Sequence, residues 1–317
     1  MQTILGSGGS IGLELATALK QYTGKIRLVS RNPRKVNKDD ELFSTDLTIG
    51  NNVDAAVKGS EVVYLTVGLK YDLKVWQETW PLLMRNVINA CKKYNARMVF
   101  FDNVYMYDKD HLGNMTEDTP INPSSRKGEI RTKIAAMLMD EANKGNIKAL
   151  IARSADFYSP YYTSTSMLNE MVIKRFNSGQ APMWPISTMF KHSFTYTPDA
   201  GKAVAILGNS AEAYNQVWHL PTATNPLTGK EWVNSLAEGY GKKPKVVTVS
   251  KFMFNMLGAF MPVMREIKEM LYQYERDYVF KSDKFEKKFR FSPTPYTEGI
   301  KKIIRQTKVA ASEPQLA

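Results

Sequence analysis

The segment Gly6-Ser7-Gly8-Gly9-Ser10-Ile11-Gly12 constrains this chain more than any other stretch of its sequence. It follows a short apolar run at residues 3–5 and opens an amphipathic run at 11–22. Glycine at positions 6, 9 and 12 in that setting meets three needs: a tight turn, close approach of a ligand to the backbone, and close packing of helix on strand. The rest of the first half repeats the alternation. Candidate strands at 26–30, 42–44, 62–66, 98–101 and 149–152 are interleaved with candidate helices at 53–57, 76–94 and 127–143. Such alternation is the mark of βαβ units, whose strands pair in parallel beneath covering helices. The expected fold is therefore α/β, a doubly wound parallel sheet over residues 1–153. The helix from Trp76 carries Leu83, Val87, Ile88 and Cys91 at three- and four-residue steps, which gives it a buried stripe. Asn51 or Asn52 is placed to cap the short helix that starts at Val53.

A glycine loop between the first strand and first helix of such a sheet is the Rossmann fingerprint. The first turn of the helix offers unpaired N–H groups and a positive dipole end, so Gly6, Ser7, Gly8, Gly9, Ser10, Ile11 and Gly12 are expected to hold a dinucleotide pyrophosphate. The second strand ends at Ser30-Arg31, and Arg34 and Lys35 follow. An NAD site usually carries an acid here for the ribose hydroxyls, whereas a guanidinium pairs with a 2′-phosphate. This favours NADP(H) over NAD(H); read as solvated loop charges, the same residues leave the preference open. Asp46-Leu47 follows the third strand, where a carboxylate can accept from the adenine amino group. Thr66-Val67-Gly68 ends the fourth strand with small residues that let a cofactor lie close.

Beyond Arg153 the pattern changes. Tyr, Pro, Ser and Thr crowd residues 158–166, and shorter elements follow: a helix ending near Phe176, strands at 193–196, 217–220 and 246–249, and helices at 228–240 and on both sides of Pro262. Residues 154–305 are read as mainly a smaller C-terminal substrate-binding lobe with segments returning to the Rossmann domain, and 306–317 as a flexible tail.

Charge and special residues exclude several classes. The formal charge is +12, but apart from Arg31/Arg34/Lys35, Lys284 to Arg290 and Lys301 to Arg305 the basic residues are scattered, and no zinc finger, RNA-binding aromatic signature or basic zipper accompanies them, so no nucleic-acid partner is expected. An anionic small-molecule substrate fits that charge. With the single cysteine Cys91 and three dispersed histidines, neither a disulfide nor a metal site is expected. The strand-forming residues begin directly after Met1, so no secretory leader is read, and the most apolar stretch, 252–264, is shorter than the about 20 residues a bilayer span needs. The expected location is cytoplasmic. The methionine- and aromatic-rich stretch 252–278 has several readings: core or subunit interface, lid, or membrane-touching surface.

These features together resemble the short-chain dehydrogenase/reductase superfamily, in its extended, nucleotide-sugar epimerase-like branch, over nearly the whole chain. The resemblance rests on Gly6-x-x-Gly9-x-x-Gly12, on Asp46-Leu47, and on Phe157-Tyr158-Ser159-Pro160, which is similar to the family's Val-Tyr-Gly-Pro turn. It rests also on His192-Ser193-Phe194-Thr195-Tyr196-Thr197-Pro198-Asp199, similar to its Phe-x-Tyr-Val-x-Asp segment. The catalytic motif departs from the family. Met106-Tyr107-Asp108 occupies the turn that places Asn103 where the family has Ser or Thr. In the next helix Lys127-Gly128-Glu129-Ile130-Arg131 stands for Tyr-Gly-x-x-Lys, so the tyrosine is Lys127 and the lysine Arg131. The resemblance implies an atypical member that binds NAD(P), with a homodimer through the helices at 76–94 and 127–143.

The residues left at the reaction centre suggest their own roles. Arg131 can donate to ribose hydroxyls but cannot act as an acid. Lys127 is either a catalytic acid, if desolvation lowers its pKa, or a phosphate or ribose contact, or a solvated charge. Asn103 can orient a carbonyl. If residues 103, 105 and 107 continue a strand, their side chains share one side, which offers Tyr105 as a second acid and Tyr107 as a substrate contact or a packing residue of the turn. Asp156 is placed near the nicotinamide, and His192 either contacts substrate or sits in a surface loop. The expected activity is an NADP(H)-dependent oxidoreductase or epimerase acting on a small carbonyl or hydroxyl compound or a nucleotide sugar. The alternative is a non-catalytic protein that senses NADP(H).

Overall fold

The computed structural model describes residues 1–160 and 166–312; part of the Tyr/Pro/Ser/Thr-rich stretch and the end of the expected tail lie outside them. In chain order the regular elements are β1 (Gln2–Leu5), α1 (Ser10–Leu19), β2 (Ile26–Ser30), β3 (Glu41–Ser44), α2 (Gly50–Val57), β4 (Val62–Leu65), α3 (Leu73–Tyr94), β5 (Arg97–Asp102), α4 (Arg126–Asn143) and β6 (Ala149–Arg153). They continue with β7 (Asp156–Tyr158), α5 (Lys174–Asn177), β8 (Met183–Pro185), β9 (Phe194–Tyr196), α6 (Thr197–Asn209), β10 (Val217–His219), α7 (Gly229–Tyr240), β11 (Val247–Val249), α8 (Lys251–Phe260), α9 (Pro262–Ile267), α10 (Asp283–Phe289) and α11 (Tyr296–Ser312).

Seven strands form one parallel sheet in the order β10-β6-β5-β4-β1-β2-β3. This is the doubly wound Rossmann arrangement. Its order reverses between β1 and β4, and the crevice beyond the carboxyl ends of those strands is where such sheets bind ligands. One face of the sheet presents Leu5, Val29, Val63, Leu65, Met98, Phe100, Ala149 and Ile151. These pack against the inner stripes of α2, α3 and α4, among them Val53, Trp80, Leu83, Val87, Cys91, Ile134 and Leu138. The strands read as nearly continuous apolar runs because helices cover both faces. Burial in that core pushes the Cys91 thiol up to about 12, which leaves it inert as a nucleophile.

The chain divides into two compact units. The first is 1–108, 117–154 and 198–220; the second is 109–116, 155–197 and 221–317. The return of 198–220 supplies α6 and the edge strand β10. In the second unit Tyr158, Phe194, Trp232, Tyr296 and Ile300 gather into an aromatic-rich core of their own. There α7 opens with a capping box, in which the Thr228 hydroxyl accepts from the Glu231 N–H and the Glu231 carboxylate accepts from the Thr228 N–H.

Some local readings are corrected. Helix α2 begins at Gly50 after Ile49, with no side-chain cap, so Asn51 and Asn52 lie inside it. The Asn52 side chain instead donates to the Asp46 carbonyl, which draws it off the cap position. Helix α1 ends at Leu19 because residues 20–23 tighten into turns before Gly24. Helix α11 runs to Ser312, well into the segment read as a tail.

Glycine also sets how close α6 lies to α1. A Cβ on Gly201 would meet Glu14 Cβ at 2.5 Å and the Glu14 carbonyl carbon at 2.7 Å. The Glu14 carboxyl sits in this contact with Oε1 buried and without a hydrogen-bond partner. Burial pushes its pKa up to about 7, with Lys202 opposing and Asp199 adding to the shift. Between the ordinary value of 4.5 and about 7 the folded state holds a proton the unfolded chain has released, so stability falls as pH rises through that window. Glu14→Gln is therefore expected to melt higher than wild type at pH 8, with the gap closing by pH 5. A gap that does not change with pH would contradict this assignment.

Candidate functional site

The glycine loop sits at the carboxyl end of β1, beside the end of β4. Gly6 has φ +98°, and a Cβ there would lie 2.6 Å from the Val67 backbone. A Cβ on Gly12 would lie 2.8 Å from Ser7 Cα and 2.9 Å from the Gly6 carbonyl oxygen. Gly8 and Gly68 face open space. Two glycines are thus consumed by close packing, while the loop keeps an uncluttered surface at Gly8. Helix α1 starts behind Gly9 with no side-chain cap, so no side chain competes for the N–H groups of its first turn. Thr66 anchors the neighbouring strand end, its N–H and hydroxyl both donating to the Leu5 carbonyl at 2.8 and 3.2 Å.

Two hydroxyls in this region lack partners. Ser7 Oγ and Ser30 Oγ are both buried with no hydrogen bond. A buried hydroxyl left unpaired is costly, and both belong to the strand-end segments that a dinucleotide would follow. Arg31 and Arg34 are exposed. The Ser44 hydroxyl donates to the Arg31 carbonyl, tying the end of β3 to that loop. Asp46 is exposed and its carboxylate accepts from the Thr48 N–H and hydroxyl at 2.9 and 2.8 Å. The Thr48 backbone bond, then its hydroxyl, hold the carboxyl below the usual range, and Arg31 adds to the effect. Leu47 beside it is buried. The fold thus brings together the residues read as cofactor-binding along β1, β2, β3 and β4.

The segment after β5 differs from the expected strand extension. The strand ends at Asp102, and 103–107 form a turn in which the Tyr105 N–H donates to Asn103 Oδ1 and the Tyr107 N–H to the Val104 carbonyl. Residues 103, 105 and 107 therefore do not alternate as on a strand, because the Asn103 side chain closes the turn. Tyr105 is half-buried with its ring stacked on Trp76, centroids 6.4 Å apart. A Cβ on Gly128 would lie 2.4 Å from the Tyr105 carbonyl oxygen, so only glycine lets α4 approach this turn.

Tyr107 is fully buried rather than facing a ligand. Its hydroxyl lies 2.7 Å from His219 Nε2 and accepts from Arg153 Nη1 at 3.0 Å. Arg153 also approaches Asp102 Oδ2 at 3.5 Å. Asp102 Oδ1 accepts from Arg131 Nε at 2.7 Å and Nη2 at 2.5 Å. The Arg131 guanidinium is 4.6 Å from the centroid of Trp80 and 4.9 Å from that of Phe100. Arg131 thus has a carboxylate partner within the protein. Burial pushes the Tyr107 phenol up from its ordinary value. Asp102, Arg153 and His219 were not singled out from sequence; the available signal was an acid and an arginine closing the otherwise apolar strands β5 and β6.

Lys127 is almost wholly buried at the start of α4, with its ammonium 4.7 Å from the Tyr71 ring centroid. Helix α4 is capped by Ser125, whose hydroxyl accepts from the Gly128 N–H. The reading of Lys127 as a solvated charge is therefore set aside.

In the second unit His192 is buried, with its ring stacked between Tyr274 and Tyr278 at centroid distances of 4.5 and 4.3 Å. Its Nε2 lies 3.0 Å from Asp156 Oδ2, which also accepts from the Tyr274 hydroxyl at 3.2 Å. The Tyr278 hydroxyl accepts from the Asp156 N–H at 3.2 Å. The fold joins Asp156 and His192 as one pair, a relation their separation in sequence does not reveal.

The NAD dependent epimerase/dehydratase family matches residues 3–218. A comparison of the sequence with curated proteins returns no match. Among solved structures, UDP-glucose 4-epimerase from Thermus thermophilus in complex with NAD is similar with a TM-score of 0.78 at 17% identity, covering 98% of this chain and 100% of the other. A double mutant of dTDP-glucose 4,6-dehydratase from Streptomyces venezuelae has a TM-score of 0.80 at 13% identity, covering 97% of each chain. UDP-N-acetylglucosamine 4-epimerase from Bacillus cereus has a TM-score of 0.75 at 16% identity, covering 97% of this chain and 99% of the other. At these identities the likeness is one of fold. With the family match spanning well over half of the chain, the protein belongs to the NAD dependent epimerase/dehydratase family.

Proposed function

We propose that this protein binds NADP(H) and acts as an oxidoreductase or epimerase on a small carbonyl or hydroxyl substrate, with a nucleotide sugar as the candidate class. The glycine loop carries the reading. It combines a packed Gly6 and Gly12, an open Gly8, an uncapped helix start and the buried, unpartnered hydroxyls of Ser7 and Ser30. These fit a dinucleotide, whose phosphates accept from N–H and O–H donors. When bound, the nicotinamide supplies or accepts the hydride. The sugar-nucleotide enzymes among the similar structures support the substrate class.

Arg31 and Arg34 are the proposed contacts for a 2′-phosphate. Their exposure, and the absence of an acid at the end of β2, support NADP(H) over NAD(H). Arg31→Ala is expected to weaken NADPH binding by roughly tenfold and leave NADH unchanged, as a lost charge-assisted contact would. Equal affinity of the wild type for both cofactors in a fluorescence titration would remove the preference.

Lys127 and Tyr105 are the proposed proton-handling groups, and Asn103 the group that orients a carbonyl. The ammonium of Lys127, withdrawn from water over the Tyr71 ring, supports a role in holding a proton for a substrate oxygen. Lys127→Met and Tyr105→Phe are each expected to lower turnover of NADPH with a carbonyl panel by about a hundredfold or more, with cofactor affinity nearly intact. Full turnover in both variants would overturn these roles. Asp156 is assigned to cofactor binding and His192 to substrate binding. A homodimer through α3 and α4 belongs to the same proposal and is tested by sedimentation velocity.

One observation favours a second reading, a binding protein that senses NADP(H) without turnover. Arg131 and Tyr107 are engaged in a buried network rather than held ready for a substrate. Sustained oxidation of NADPH by any member of the panel would eliminate the pure sensor.

A further inference from the structure

Helix α8 is apolar on the face it turns to water. Its inner side places Phe254 against Val249 and Leu271, with Met264 and Ile267 alongside. Its outer side carries Phe252, Met253, Met256, Ala259 and Phe260 at steps that fall on one helical face. Phe252 is 70% exposed, Met256 56% and Phe260 86%, and Met261 continues the patch. The solvent side of a surface helix is normally polar, and contiguous apolar patches of this kind mark interaction sites.

The charge around the patch says what kind of surface it meets. Residues 241–275, which include the segment packed against α8, contain six cations, Lys242, Lys243, Lys245, Lys251, Arg265 and Lys268, against three acids, Glu266, Glu269 and Glu275. Lys242 donates to the Phe176 carbonyl and Lys251 pairs with Glu275; Lys243, Lys245, Arg265 and Lys268 are exposed. A second copy in a two-fold contact would set this cationic rim against itself, because such a contact is self-complementary. An anionic bilayer satisfies both features. Its headgroups take the lysines and its acyl boundary takes phenylalanine and methionine.

We propose that α8 and its basic flanks dock this protein on the surface of an anionic membrane, peripherally. Among the described residues no helix is long and apolar enough to cross one. The proposal is independent of the reading of the glycine loop and uses none of its residues.

Co-sedimentation with phosphatidylcholine vesicles, with and without about 30% phosphatidylglycerol, tests it. Wild type is expected to pellet with the anionic vesicles, far less with the neutral ones, and less as salt is raised. Phe252→Ser and Phe260→Ser are each expected to lower partition by roughly tenfold, with unchanged melting temperature because both side chains are exposed. Lys243→Glu with Lys245→Glu is expected to weaken binding to the anionic vesicles only. The proposal fails if wild type pellets with neither vesicle, or if the phenylalanine variants bind as wild type does. It fails too if sedimentation velocity shows a dimer that those variants abolish, which assigns the patch to a second copy. Retention on immobilised polyglutamate without vesicle binding would assign it to an acidic protein instead.

Discussion

Asp102→Ala is expected to destabilise the protein by about 3–5 kcal/mol, the cost of breaking a buried ion pair from one side. The carboxylate is wholly buried, and the Arg131 and Arg153 side chains it serves are each only 5% exposed. Removing it leaves two guanidinium groups of like charge in the interior between β5, β6 and α4, with the rings of Trp80 and Phe100 as poor substitutes for a counter-ion. The loss also reaches Tyr107 and His219, since Arg153 holds the Tyr107 hydroxyl, which lies 2.7 Å from His219 Nε2. Urea denaturation measures it. Asp102→Asn tests the electrostatic part, because it keeps the shape and some acceptor capacity but not the charge. A loss below about 1 kcal/mol for Asp102→Ala would show that water or rearrangement relieves the arginines, and the network would not be a structural brace.

Gly6→Ala and Gly12→Val are expected to weaken dinucleotide binding by on the order of a hundredfold, about 3 kcal/mol, and to lower the melting temperature. Both clashes are with backbone. At Gly6 the added carbon meets the Val67 N and Cα, and φ +98° is strained for any L side chain. At Gly12 it meets Ser7 and the Gly6 carbonyl, so α1 would have to move off β1 and carry the N–H groups of its first turn with it. Gly8→Ala separates the two effects. Nothing lies within 4 Å of its added carbon, so the fold should stand while any ligand resting on the loop is pushed away. Titration with NADPH and a thermal melt on the same samples read both. If Gly12→Val binds as wild type does, the loop is not the phosphate site.

The two predictions rest on features of unequal legibility. The glycine loop is local: strand, turn and helix are adjacent in sequence, and each glycine's need follows from a contact within a few residues or with the neighbouring strand. Each strand of the central sheet in the first unit falls within a residue or two of its expected position, because buried parallel strands are continuous apolar runs. Helix ends were read less well at Asn51 and Asn52, where a side-chain bond to the Asp46 carbonyl outcompetes the cap. The Asp102 network could not be read at all. Its members lie 29, 46, 51 and 112 positions apart in the bonded pairs, and nothing in a linear pattern says which arginine a carboxylate will meet.

By itself the sequence determined a Rossmann sheet, its glycine loop and the identities Lys127 and Arg131 in α4. These are consequences of short-range periodicity, of backbone freedom at glycine and of residue identity. The tertiary structure decided which partners the polar residues meet. It spends Arg131 on Asp102, turns Asn103 inward to close a loop, buries Tyr107 against His219, and stacks His192 between two tyrosines behind Asp156. The physical reason is that a polar group's role depends on its partners once water is excluded, and packing between distant segments chooses those partners.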